Sequence, residues 1–217
     1  NGTIYESTGL YGRSTLRKLD IKTGEVKQVV PIHHKFFGEG ICSWKNDLIF
    51  LTWKSKTGFV YDLETLEKRY TFRYDTTSGE GWGITFDGTH LVVSDGTSYL
   101  HFWDPHSFPN VKQVKRIQIR DPETGVPIRH INELEYYNGE ILANIWYRKF
   151  IIRIDAKTGE VLGHINLSEL PFPQHVNGKE DCLNGLAYDN KRNALLVTGK
   201  LWSNVYRLNI DLAFRSI

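Results

Sequence analysis

Five copies of one strand-and-turn pattern in 217 residues predict an all-β chain, a five-bladed β-propeller. Three observations carry this. The short runs "STLRKLD", "GFVYD", "HFWDP" and "IIRID" bring an acidic residue to the same place: Asp20, Asp62, Asp104 and Asp155. These are spaced by 42, 42 and 51 residues, and a weaker copy, "VYRLNID", brings Asn209 to that place 54 residues later. Around each lie further short runs, apolar or alternating and bounded by Gly, Asn or Asp, and no stretch sustains a 3.6-residue period.

The units follow in order as one domain. The first, about residues 1–33, offers "GTIYES", "STLRKLD" and "IKTGEVKQVV" and lacks an innermost strand. The expected source of that strand is a segment before Asn1 or the C-terminal "DLAFRSI". The second, about 34–76, runs "FFGEGICSW", "DLIFLTW", "TGFVYD" and "LETLEKRYTF". The third, about 77–120, contains "GEGWGITFDG", "HLVVSDG" and "YLHFWD". The fourth, about 121–168, runs "INELEYYNG", "EILANIW", "FIIRID" and "AKTGEVLGHI". The fifth, about 169–217, contains "CLNGLAYDN", "ALLVTGK" and "NVYRLN". The "KTGE" turns at Lys22 and Lys157 supply Gly where a tight turn needs positive φ. The recurring aspartates need no role beyond turn chemistry. An open sandwich is the rival architecture, and five unit-like repeats argue against it.

Composition narrows the function. The net charge of +2 implies no nucleic-acid or membrane-surface partner. No apolar run approaches a membrane span. Cys42 and Cys182 lack CxxC spacing, so one disulfide or two free thiols both remain open. There is no HExxH, GxSxG, Gly-rich phosphate loop or paired CxxC, which argues against a zincin, a serine hydrolase and a nucleotide enzyme. His33 and His34 read as solvated linker residues.

Aromatics make up 13% of the chain, with six Trp. In a propeller, the innermost strands line a channel. The stretches that open the units carry Glu39, Trp82, Asn132 and Asn184 at equivalent positions, which should ring the axis on one face. A second ring, read at the start of each third strand, has Trp53, Trp146 and Lys200. Taken singly, each has an ordinary role: tryptophan as core between blades, Glu39 as a solvated carboxylate, Lys200 as surface charge, the asparagines as turn formers. Together they suggest a pocket for an apolar stem with a polar end.

At this point "ESTGLYGRSTLRKLD", "FFGEGI", "LTWK", "GWGIT", "LVVSDG", "INELEY", "NGLAYD" and "VTGKLW" resemble the plant-type glutaminyl cyclases, the glutaminyl-peptide cyclotransferases, a family with bacterial members. The resemblance runs from Tyr5 to about Leu208. It implies a five-bladed propeller and an enzyme that turns an N-terminal Gln into pyroglutamate with release of ammonia. Position by position it implies Glu39 as the catalytic carboxylate, Asn132 and Lys200 as polar catalytic groups, and Phe37, Trp53, Trp82 and Trp146 as pocket walls. Asn184 joins the substrate-binding set. The family's "FTQG" motif, placed shortly before "ESTGLYG", would fall before Asn1, and a segment carrying it is expected there.

Ring closure tethers nucleophile and electrophile, so the pocket's main task is to fold the side chain back and exclude water. Glu39 beside aromatic walls suits a proton shuttle, and Asn132 and Lys200 suit the developing oxyanion. No cofactor is required, although a structural cation in the channel is compatible with the scheme. The expected substrates are peptides and proteins with N-terminal Gln. The expected setting is a secreted or periplasmic monomer whose signal segment has been removed. The competing readings are a non-catalytic peptide- or protein-binding propeller and a metal-dependent hydrolase, the latter wanting more channel carboxylates.

Overall fold

The computed structural model describes residues 2–171 and 182–210. Among these are eighteen strands and one 3-10 turn, Pro105–Ser107. The chain is all-β, and its five sheets are the blades of a β-propeller. Every sheet is a meander, its strands hydrogen-bonded in sequence order. The first contains β1 (Thr3–Thr8), β2 (Thr15–Asp20) and β3 (Val26–Pro31). The second contains β4 (Gly38–Trp44), β5 (Asp47–Thr52), β6 (Thr57–Asp62) and β7 (Lys68–Arg73). The third contains β8 (Ile84–Phe86), β9 (Leu91–Ser94), β10 (Tyr99–Trp103) and β11 (Gln113–Gln118). The fourth contains β12 (Ile131–Tyr137), β13 (Glu140–Ile145), β14 (Phe150–Asp155) and β15 (Val161–Asn166). The fifth contains β16 (Leu183–Asp189), β17 (Ala194–Gly199) and β18 (Tyr206–Asn209).

The repeated acid does the work of a turn. The Oδ1 atom of Asp20 accepts the backbone N–H of Lys22 and Thr23 at 2.8 and 3.1 Å, and that of Asp62 accepts Glu64 and Thr65 at 2.9 and 2.8 Å. Asp104 captures His106, and Asp155 captures Lys157 and Thr158. These are Asx turns, in which a short carboxylate satisfies donors that leave the strand. The Thr65 N–H, joined by the Arg69 guanidinium, holds the Asp62 carboxyl down at about 2. The acid closes the third strand in the second and fourth sheets and follows it directly in the third. In the first sheet it closes β2, so the strand without a described counterpart there is the innermost one. "DLAFRSI" lies outside the described residues.

Burial follows strand order. The central strands β5, β6, β9 and β13 are buried along almost their whole length, whereas β3, β7 and β15 are largely exposed. The exposed strand β7 reads "KRYTFR", and charged side chains on such an edge deter pairing with another chain.

The chain forms two compact units, Asn1–Asp95 with His101–Lys115, and Gly96–Leu100 with Arg116–Ile217. The first has two cores, one around Phe50, Phe59 and Leu16, the other around Trp103, Phe72 and Ile84. In the second, a core gathers around Leu142, Ile151, Leu195 and Val197. Each such aliphatic side chain contributes about 1.5–3 kcal/mol by leaving water. Neither Cys42 nor Cys182 is in a disulfide.

Candidate active site

Three of the strands that open the sheets share one irregularity. On β4 the register passes from Gly38↔Thr52 to Ile41↔Phe50, so β4 has one residue more than its partner. The same bulge lies between Ile131↔Ile145 and Leu134↔Ala143, and between Leu183↔Gly199 and Leu186↔Val197. Glu39, Asn132 and Asn184 each occupy the first position inside it. Trp82 stands at the matching place two residues before Ile84, the first residue of β8. A bulge re-aims a side chain out of the alternation of its strand. The equivalence expected for these four positions is therefore a shared register.

In the first unit, Glu39 is half-buried between Gly38 and Gly40. Gly40 is needed because its N–H donates to Trp82 O at 2.7 Å, and a Cβ there would lie 2.6 Å from that oxygen. Trp53 and Trp82 converge on a residue that the sequence did not single out, Glu80. Its Oε2 accepts Trp53 Nε1–H at 2.6 Å and Trp82 Nε1–H at 2.8 Å. Lys54 Nζ lies 3.8 Å from Glu80 Oε1 and 3.9 Å from the centroid of the Trp53 ring. Phe37 meets Trp53 edge-on at 5.4 Å and Tyr11 likewise at 5.4 Å. Behind them the Tyr74 hydroxyl donates to Thr52 O, and burial, reinforced by the charges of Glu39 and Glu80, pushes its pKa up.

In the second unit, Asn132 is buried at 3% exposure and Asn144, on β13, at 0%. Asn144 Oδ1 accepts Gly185 N–H at 3.4 Å inside the β16 bulge. The Nδ2 donors of Asn144 and Asn184 are buried with no partner among the described residues. Unmatched buried donors are costly and call for an acceptor. Trp146 stacks on Tyr147 at 4.5 Å, and its backbone N–H donates to His130 O at 2.9 Å. Lys200 N–H makes the same bond to Cys182 O at 2.9 Å, as Trp53 N–H does to Phe37 O at 3.0 Å. Lys200 is half-buried as a residue and is in no ion pair among the described residues.

The second ring needs a correction. Trp53, Trp146 and Lys200 do not open third strands. Each directly follows the second strand of its sheet, after Thr52, Ile145 and Gly199, where the backbone bond just described ends the ladder. Asp95, after β9, holds the corresponding place in the third sheet. Within the first unit the structure gathers Phe37, Trp53 and Trp82. Within the second, the shared bulge register relates Asn132 and Asn184. A cavity of about 680 Å³ in the first unit, lined by His33, Lys35, Phe36, Phe59, Lys68 and Arg73 among others, contains none of the expected site residues. Among the described residues no three His, Cys, Asp or Glu side chains gather as metal ligands, and no helix is long and apolar enough to cross a membrane.

The family profile described as "Glutamine cyclotransferase" matches residues 1–210. The glutaminyl-peptide cyclotransferase of Arabidopsis thaliana is 40% identical over 216 residues, covering 98% of this chain. The chain spans 65% of that relative's length. The crystal structure of Myxococcus xanthus glutaminyl cyclase superposes with a TM-score of 0.85 at 32% identity, over 95% of this chain and 85% of that one. A Bacteroides caccae protein of unknown function matches with a TM-score of 0.52 at 12% identity, over 97% of this chain and 74% of its own, a likeness of fold alone.

Proposed function

The chain belongs to the glutamine cyclotransferase family, and we propose that it cyclises the N-terminal Gln of peptides and proteins to pyroglutamate, releasing ammonia. The observation that carries this is the family match over residues 1–210. The carboxylate-bound tryptophan pair and the unmatched amide donors support it.

The roles follow from the chemistry. The substrate's α-amine, of pKa about 8, is largely protonated at neutral pH. Glu39 takes its proton, and the freed nitrogen attacks the γ-carbonyl carbon of the same residue. A new C–N bond closes the five-membered ring through a tetrahedral intermediate. Asn132 and Lys200 donate to the developing oxyanion. Glu39 returns the proton to the side-chain nitrogen and takes the second proton from the ring nitrogen, the old C–N bond breaks, and ammonia leaves, picking up that last proton as ammonium. Phe37, Trp53, Trp82, Trp146 and Asn184 hold the side chain folded back and keep water from turning the amide into Glu. The scheme needs no cofactor. The setting we propose is an exported protein, secreted or periplasmic, acting as a monomer.

The test is ammonia release from a Gln-initiated dipeptide, with and without chelator. Release that survives chelation is expected. Well-folded protein that binds the peptide without releasing ammonia would replace the enzyme with a peptide-binding propeller.

A further inference from the structure

Glu80, the carboxylate that binds both tryptophans of the first unit, has no part in this reaction scheme. Its placement is tightly specified. The Glu80 N–H donates to Ser78 Oγ at 3.1 Å, Glu80 O accepts from Thr76 Oγ1 at 2.6 Å, and the next N–H, of Gly81, donates to Trp53 O at 2.9 Å. Ser78 is itself tied to Asp95 by two bonds of 2.8 Å. The carboxylate, with its side chain only 23% exposed, then takes both indole N–H groups on one oxygen. The indoles come from different sheets, one after β5 and one before β8.

An indole donates only through Nε1, so that single bond sets how the ring turns about its side-chain torsions. A bond to an ionised acceptor is shorter and about twice as strong as a neutral one. Glu80 also stands in register where Phe37 stands in the second sheet, four residues before the first apolar residue beyond the irregularity, Ile84 and Ile41 respectively. An anion at the N–H edge makes the ring face more attractive to a cation, and Lys54 already rests its ammonium on the Trp53 ring, 3.9 Å from the centroid.

We propose that Glu80 is a positioning residue that clamps Trp53 and Trp82 into one wall and, by its charge, favours the cationic amino terminus of the substrate against it. This rests on the two tryptophans being pocket walls in the proposed reaction. The clamp predicts a division of labour that packing alone does not. Glu80→Gln keeps an acceptor oxygen and loses the charge, so KM should rise roughly three- to tenfold with kcat close to wild type. Glu80→Leu loses both, so kcat/KM should fall about 10²-fold. Adding Glu80→Leu to a Trp53→Phe/Trp82→Phe protein should change kcat/KM by no more than about twofold, because the clamp then has nothing to hold.

The experiment measures kcat and KM for a Gln-initiated dipeptide across this set, together with the ultraviolet resonance Raman marker of indole N–H bonding. Glu80→Leu within about twofold of wild type, or equally damaging with and without the two tryptophans, would overturn the proposal. If Glu80→Leu does not fold, Glu80→Gln decides by its split between KM and kcat. If wild type releases no ammonia, the proposed reaction fails separately, and the clamp is judged by the Raman marker alone. An indole marker that does not shift between wild type and the Glu80 variants sinks it.

Discussion

The two compact units hold their site residues by different means. In the first, side chains hold side chains: Glu80 ties Trp53 to Trp82, and Phe37 braces Trp53. In the second, backbone strain and buried amides take over. His130, Tyr147 and Leu201, which flank Ile131–Asn132, Trp146 and Lys200, all have left-handed backbones, with φ of 63°, 64° and 61°. None is Gly, and such a conformation costs an L-residue about 1–2 kcal/mol. Their counterparts in the second sheet, Phe37 and Lys54, are not among the left-handed residues. A cluster of rigid aromatic rings can be set by one shared anion. Polar groups such as Asn132 and Lys200 have no rings to clamp, and the backbone beside them is bent instead.

The sharpest way to break this contrast is at its most reactive point. Glu39→Gln should leave the fold intact and lower turnover about 10²-fold or more, read as the rate of ammonia release. Turnover within a few-fold of wild type would remove Glu39 as the proton shuttle. Next comes Gly40→Ala, whose new methyl would press on Trp82 O in the first unit. It should cost about 1–3 kcal/mol in denaturant unfolding, and a neutral result would mean that the bulge can relax. The second unit offers a pH test. Burial pushes the Glu135 carboxyl up to about 7, while it accepts Tyr188 N–H at 3.1 Å. A carboxyl raised on folding stabilises fully below its ordinary value and loses that contribution as pH climbs through about 7. Glu135→Gln should therefore melt higher than wild type at alkaline pH, by about 1 kcal/mol, with the gain vanishing near pH 4.5. The smallest effect is Leu201→Gly. Leu201 is 83% exposed and packs little, so relief of its backbone should outweigh the entropy of Gly and stabilise by a few tenths to about 1 kcal/mol. Destabilisation would argue that the left-handed turn is not strained.

Much of the fold was legible because its punctuation is local. Asp20, Asp62, Asp104 and Asp155 capture donors two or three residues ahead, a signal that survives whatever packs around it. Two parts of the candidate site were hidden. Glu80 lies in "SGEGWG", where Trp82 drew the alignment and its neighbour looked like a solvated loop acid. Only the strand register gives it the position in the third sheet that Phe37 holds in the second. Asn144 lies inside the apolar run "EILANIW" and reads as an interruption of core, although it is fully buried. The ends of β5, β13 and β17 are set by the backbone rather than by the apolar pattern. Hydrophobic pattern runs on through Trp53 and Trp146, whereas the ladder stops where the next N–H turns to Phe37, His130 or Cys182.

The sequential order of strands in every sheet has a consequence for how the chain is made. Each strand finds its hydrogen-bonding partner in the segment just before or just after it. Closing such short loops costs little chain entropy, and the cost rises only slowly with length. A sheet such as β12–β15 therefore needs nothing beyond its own stretch of chain to pair its strands. The sheets are suited to form one after another on the ribosome, at the pace of synthesis, with few strand edges left waiting for distant partners.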